Sequence, residues 1–288
     1  MKDRLNNFIL ILFFLVGLSL LLYPSFSDYW NSFTQSKAIA VYTEQLANLN
    51  DELYDMMLED AKAYNQRILE RENVFLMEEE ESKEYNLLLN VTGNGVMGYI
   101  EIPLINCSLP IYHGTSDSVL SSAIGHLEWT SLPVGGEGTH AVVSGHRGLP
   151  RAKLFTDLDK LAAGDVFTMR ILDEIFTYEV DQILIVEPHE IDALLIEDGK
   201  DYCTLVTCTP YGINTHRMLV RGHRIENTEQ SSTIRVTSDA IQIEPLVLAP
   251  IVGVPLLLIA MILLMMSDSY VAMKVKRREQ IKRDFRKQ

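Results

Sequence analysis

Cys208 closes the apolar run TLVTC, and nine residues later, across the loop TPYGIN, Arg217 leads into a second apolar run. Pro210, Gly212 and Asn214 mark that loop as a turn, so the flanking runs read as neighbouring antiparallel strands with Cys208 and Arg217 facing each other across the ladder. A cysteine at a strand end beside a guanidinium sits where its thiolate is stabilised, whereas an inert structural cysteine occupies an apolar strand interior. The chemistry this suits is nucleophilic attack on an acyl group, for which a base or acid partner is needed. Of the seven histidines, His146 is the best framed: it ends the run AVVSGH, 62 residues upstream of Cys208, between Gly145 and Gly148. Those glycines permit close approach of backbone or substrate. Spacing alone does not bring His146 to Cys208.

The remaining candidates read as structural. Cys203 lies five residues before Cys208, an odd separation that turns its side chain to the opposite face of a regular strand. It is expected in the core, as is Cys107, and a bridge between the two stays open. His216 and His223 alternate with apolar positions in the last strand-like run and are assigned no chemistry. Three cysteines cannot build a disulfide framework, and no Cys-x-x-Cys or His-x-x-x-His spacing offers a metal cage.

These residues need elements to position them. From Gly95 onward the chain is a series of short β-branched runs separated by Pro and Gly (VMGYIEIP, LPIYHG, HAVVSGHRG, DVFTMRI, FTYEVDQILIVE, YCTLVTC, HRMLVRGHRIE), the texture of a β-sandwich or barrel. Residues 36–71 read as one helix, because Ile39, Tyr42, Leu46, Leu49, Leu53 and Met56 recur at helical steps. Residues 189–200 read as a helical excursion between strands, Glu78 to Glu81 as a solvated charge run, and residues 227–244 as a polar linker.

Residues 8–23 form an uncharged apolar run after Lys2 and Arg4, short for a span but extendable through Phe26 to the roughly 17–25 residues a bilayer requires. The Ala-x-Ala site nearest to it, Ala38-Ile39-Ala40, lies too far away for a cleaved signal, which favours an uncleaved anchor. A second uncharged run, 245–266, precedes a tail with eight Lys or Arg. The positive-inside rule puts that tail and the N-terminus in the cytoplasm and residues 28–244 outside. No Leu-Pro-x-Thr-Gly precedes the second run, so it reads as a permanent anchor and not as a sorting signal of the chain's own. The net charge of −14 comprises +1 over residues 1–7 and +5 over 267–288, leaving −20 between them. So acidic a stretch would be repelled by nucleic acid.

TLVTCTPYGINTHRMLVRGHR (204–224), SGHRG (144–148) and GNGVMGYIEIP (93–103) closely resemble the signatures of the sortases, specifically the class C, pilus-assembling group. The resemblance covers about residues 85–226. It implies a mainly β fold: a sortase-type barrel at 86–226, an N-terminal helical and lid region at 28–85, and flanking transmembrane helices at 1–27 and 245–266. It further implies a catalytic set of Cys208, His146 and Arg217, with Thr207 lining the substrate groove. Cys208 would attack the Thr–Gly carbonyl of an LPxTG-like motif on a pilin or surface protein, and a pilin lysine amine would resolve the thioester. Membrane lipid is the other expected partner. No cofactor is called for, since a thiolate suffices as nucleophile. With ordinary pKa values of about 8.5 and 6.5, thiolate and imidazolium would coexist in only roughly 1% of molecules at pH 7, so turnover is expected to be slow.

The chain departs from the group in one respect. Class C sortases usually carry a lid with an Asp-Pro-aromatic motif, and this sequence has none. The nearest equivalent is Asn73-Val74-Phe75, in which Asn73 cannot form the ion pair with Arg217 and Phe75 could still cover Cys208. A thiol endopeptidase using water, a wall-anchoring sortase and a catalytically silent scaffold are the alternative readings.

Overall fold

The computed structural model describes residues 2–71, 77–150 and 152–227. Eight strands form a closed barrel: β1 (Val96–Ile102), β2 (Cys107–His113), β3 (Ile124–His126), β4 (Thr139–Ser144), β5 (Val166–Ile171), β6 (Glu174–Val186), β7 (Asp201–Thr209) and β8 (His216–Ile225). Their order around it is β1-β2-β3-β4-β7-β8-β6-β5. Pairing is parallel between β2 and β3 and between β4 and β7, and antiparallel elsewhere. Closure leaves no strand edge unpaired, and the alternation of side chains fills the interior with Ile100, Ile111, Ile124, Val143, Phe167, Met169, Leu205 and Val220. The expected barrel or sandwich is thus a barrel. Its three-residue β3 was not foreseen, being too short to show an alternating pattern.

Three helices precede it: α1 (Lys2–Ala47), α2 (Asp51–Leu69) and α3 (Glu79–Leu87). The single helix expected over 36–71 is two, because Asn50 caps a new start. Its backbone is extended and its side-chain oxygen accepts the Leu53 N–H at 2.7 Å, with Asp51 and Glu52 favouring the positive end of α2. The acids expected to be merely solvated open α3, where Glu81 pairs with Arg71. These helices share the barrel's own core. Tyr42 of α1 is buried, its hydroxyl accepting the Leu172 N–H at 2.7 Å and donating to the Met97 carbonyl at 3.1 Å. Buried Asn65 of α2 brackets Leu132 through both its N–H and its carbonyl, at 2.7 and 2.9 Å. Tyr85 of α3 reaches His126.

The chain divides at Phe26 and Ser27 into an N-terminal unit and the one that contains the barrel. Among the described residues one helix is long and apolar enough to cross a membrane, and it is α1. Its N-terminal part exposes Leu12, Phe13, Leu15, Val16, Leu20 and Leu21, a broad apolar surface that is costly to leave in water. The second expected span, 245–266, lies outside the described residues, as do its basic tail and all of the expected linker except Asn227. Residues 189–200, expected as a helix, hold only a single 3-10 turn, Asp192–Leu194.

His126 gives the fold a pH dependence. It is fully buried, with Nε2 2.8 Å from the Ser131 carbonyl and Nδ1 3.0 Å from the Tyr85 hydroxyl. That arrangement suits a neutral ring that donates to Ser131 and accepts from Tyr85. Burial lowers its pKa to about 4, and burial lowers that of His113 too. A base with a depressed folded pKa binds its proton more readily when unfolded, so its contribution is complete above pH 6.5 and is lost as pH falls towards 4. For His126 the loss is about 3 kcal/mol. Urea unfolding should therefore show stability falling between pH 6.5 and 4. The NMR signals of the His126 ring should remain those of neutral imidazole at pH 5, and a protonated ring there in the folded protein would contradict this.

Candidate active site

β7 carries Cys208 at its C-terminal end, and both neighbouring strands bring a candidate residue to that end. On one side, β8 runs antiparallel in a register that sets Arg217 opposite Cys208. On the other, β4 runs parallel, with Ser144 opposite Val206. The Gly145 N–H continues this ladder to the Val206 carbonyl at 3.0 Å, so His146, the next residue, emerges level with the end of β7. The three residues expected from sequence to act together thus come from three adjacent strands at one end of the barrel.

Strand alternation puts this chemistry outside the barrel. Ala141 and Val143 of β4, Cys203 and Leu205 of β7 and Met218 and Val220 of β8 point into the core. Val142, Val206 and Leu219 occupy the opposite face, where Leu194 packs on them beside Trp129, Leu184 and Val186. Cys208 and Arg217 lie two residues beyond Val206 and two before Leu219, on that same outer face. An apolar track, covered by Leu194, therefore lies on the outer face beside the thiol. The segment after β6 that carries Leu194 is fastened: His140 Nδ1 contacts the Leu195 carbonyl at 2.9 Å, and Arg221 holds Glu197 at 3.2 Å and Asp181 at 3.0 Å. These contacts displace the helix expected at 189–200, since tertiary seating outweighs the modest propensity of so short a segment.

The loop bearing His146 is held from beneath. Thr207, expected to line the groove, is buried, and its hydroxyl donates to the Gly145 carbonyl at 2.8 Å. The structure thus places it under the His146 backbone. Gly145 has no room for a side chain: a Cβ would stand 2.8 Å from both Phe155 and Ile124. The Phe155 N–H donates to the His146 carbonyl at 3.2 Å. Gly148 adopts a positive φ of 75° directly beneath the Tyr211 ring, and Arg147 lies 5.9 Å from that ring's centre while pairing with Asp159. Tyr211 belongs to the loop between Cys208 and Arg217, so the two loops brace each other. The Thr207, Tyr211 and Asp159 contacts were not read from sequence; the glycines flanking His146 were the available signal.

Arg217 is half-buried and donates through Nη1 to the carbonyls of His216 and Asn214, at 3.1 and 3.3 Å. No carboxylate pairs with it among the described residues. Asn73 and Phe75, the lid candidates, lie outside the described residues. His216 contacts the adjacent Thr215 hydroxyl at 2.9 Å. All three cysteines are free thiols, which removes the Cys107–Cys203 bridge left open above. Cys107 and Cys203 are buried and Cys208 is half-exposed. Burial pushes the Cys107 thiol up to about 12 and raises Cys203 well above the ordinary range, leaving both protonated and inert.

A profile of the family described as "Sortase domain" matches residues 100–225. Sortase D of Bacillus subtilis (strain 168) is 30% identical over 131 residues, which make up 44% of this chain and 63% of that relative, so the chain spans less than two thirds of it. Among solved structures, sortase C1 of Streptococcus agalactiae is 50% identical with a TM-score of 0.64, over 67% of this chain and 100% of that one. The X-ray structure of Clostridium perfringens sortase C with the C-terminal cell wall sorting motif is 48% identical with a TM-score of 0.58, again over 67% of this chain and 100% of that one.

Two outcomes are expected. Iodoacetamide should modify Cys208 alone in the folded protein, with Cys107 and Cys203 reacting only after denaturation, as peptide mapping would show. Thr207→Val removes the donor beneath His146 without changing its volume, strands the Gly145 carbonyl, and should cost about 1–3 kcal/mol in urea unfolding. Thr207→Ser, which keeps the hydroxyl, should cost clearly less.

Proposed function

The chain belongs to the sortase family, and on that premise we propose that it is a cysteine transpeptidase of the class C, pilus-assembling kind, with Cys208, His146 and Arg217 as its catalytic residues. The observation that carries the reading is the half-exposed Cys208 flanked in strand register by Arg217 on one side and the His146 loop on the other.

The Cys208 thiolate attacks the carbonyl carbon between Thr and Gly of an LPxTG-like motif. The Arg217 guanidinium, aimed by its bonds to the Asn214 and His216 carbonyls, receives the developing oxyanion. His146 gives its proton to the departing glycine amine as the C–N bond breaks, leaving a thioester on Sγ. An incoming lysine ε-amine from a second pilin attacks that thioester and surrenders a proton to His146. The new isopeptide bond forms as the Cys208 thiolate departs, which restores the starting state. The Clostridium perfringens relative, whose structure includes a sorting motif, supports the substrate class.

The apolar part of α1 serves as a membrane anchor with the barrel outside the cell. By its charge pattern the 245–266 run forms a second span that returns the basic tail to the cytoplasm. Phe75 remains the proposed cover of the groove, without a latch from Asn73.

The test is incubation with a sorting-motif protein and a lysine-bearing pilin, followed by mass spectrometry for a Thr–Lys isopeptide. A free Thr carboxylate as sole product would point to an endopeptidase, and no cleavage would point to a silent scaffold. Cys208→Ala should abolish turnover and keep the fold. Arg217→Lys keeps the charge but loses the planar fork of donors, and should reduce kcat/KM by about tenfold or more. Activity near that of the parent would reduce Arg217 to an electrostatic bystander.

A further inference from the structure

Beyond Phe26, α1 has two opposite faces. Asp28, Gln35 and Tyr42, seven residues apart, bind the barrel: the Asp28 carboxylate accepts the Lys153 N–H at 2.9 Å, Gln35 donates to the Ser122 carbonyl at 2.6 Å, and Tyr42 is buried as described. Phe26, Tyr29, Trp30 and Phe33 follow a helical i, i+3, i+4, i+7 stripe on the far side. They are 66, 69, 59 and 57% exposed. Trp30 and Phe33 lie 6.4 Å apart, ring to ring. Four adjacent exposed aromatics are costly in water and unusual on a monomer's surface.

Their position along the helix supplies the explanation. The uncharged run from residue 8 to residue 26, at about 1.5 Å per residue, is about 28 Å long and so matches a hydrocarbon layer of about 30 Å. Tyr29 and Trp30 then lie about 4–6 Å beyond its edge, within the roughly 5–7 Å of a headgroup layer, and Phe33 about 10 Å beyond, on the aqueous side of that layer. Tyr and Trp are the residues that partition to this depth, with the ring in apolar surroundings and the polar atom wetted.

We infer that Tyr29 and Trp30, flanked by Phe33 on the aqueous side, form an aromatic collar seated in the headgroup layer of the bilayer, and that this collar holds the catalytic end of the barrel at the membrane surface. The second part follows from Asp28, on the same helical turn as Tyr29 and Trp30. Asp28 binds Lys153, and two residues on, the Phe155 N–H holds the His146 carbonyl. Few residues therefore separate the collar from the catalytic loop. The inference rests on the reading of α1 as a membrane anchor, and its consequence for turnover rests on the proposed transpeptidase reaction.

The test uses the full chain in vesicles of phosphatidylcholine and phosphatidylglycerol. Trp30 and Trp129 are the only tryptophans, so in a Trp129→Phe background the emission reports on Trp30. Blue-shifted emission is expected, quenched more strongly by lipids brominated near the headgroup than by lipids brominated near the chain ends. Water-like emission that neither lipid quenches, from protein that sediments with the vesicles, would overturn the collar; failure to sediment would overturn the anchor reading and the collar with it. In the Trp129-containing protein, Tyr29→Ser/Trp30→Ser/Phe33→Ser should leave cleavage of a soluble sorting-motif peptide unchanged and slow processing of a bilayer-embedded donor several-fold. Equal rates on the embedded donor would overturn the positioning role. If the parent cleaves neither substrate, the transpeptidase reading fails while the fluorescence result still decides the collar.

Discussion

Everything at the reactive end depends on the main-chain ladder that clamps β7 between β4 and β8. Its register decides which side chains face out. A slip of one residue would turn Cys208 and Val206 into the core and bring Cys203 and Thr207 to the surface, because strand side chains alternate with period two. Both ladders oppose the slip together. Cys203 and Leu205 are fully buried inside the barrel, Val206 is pinned outside beneath Leu194, and the inward Thr207 hydroxyl has a specific acceptor in Gly145. The bond that fixes β7 in place is thus also the one that supports the backbone before His146.

The same ladder separates the three thiols chemically. Two lie among apolar side chains and are held protonated by burial, so the protein exposes one cysteine to solvent with no disulfide or competing thiol. The cover of the apolar track is likewise anchored by strand residues. His140 on β4 and Arg221 on β8 reach out from the face that bears Val142 and Leu219 and fasten the segment carrying Leu194. Rigid strands, and not the loops themselves, therefore set the shape of the surface beside Cys208.

How much of this was legible in the sequence follows from the range of the interactions. Cys208 and Arg217 could be paired because a short loop rich in Pro, Gly and Asn joins their strands, so the register is a local property. The long, alternating strands could be read for the same reason. His146 stood out through Gly145 and Gly148, but its neighbour across the β4–β7 ladder is 62 residues away, and only the family resemblance connected them. The bond from Thr207 to Gly145 was not readable, because a strand-end hydroxyl looks equally suited to substrate or to backbone and its acceptor is again distant in sequence. The helix expected at 189–200 failed because His140, Arg221 and the seat for Leu194 all come from other strands. The break at Asn50 was readable in principle, since Asn followed by Asp51 and Glu52 is a helix start, but continuous apolar spacing through Leu49 and Leu53 masked it.

The central claim is that Cys208, and no other group, carries the acyl chain between donor and acceptor. The most direct measurement is rapid-quench mass spectrometry of the enzyme mixed with an LPxTG-like peptide in the absence of any lysine acceptor. The account predicts a thioester-linked adduct that ends at Thr, maps to the peptide containing Cys208, and disappears when a pilin lysine is added. An adduct on Cys107 or Cys203, or cleavage that proceeds at the full rate with no covalent intermediate, would contradict it.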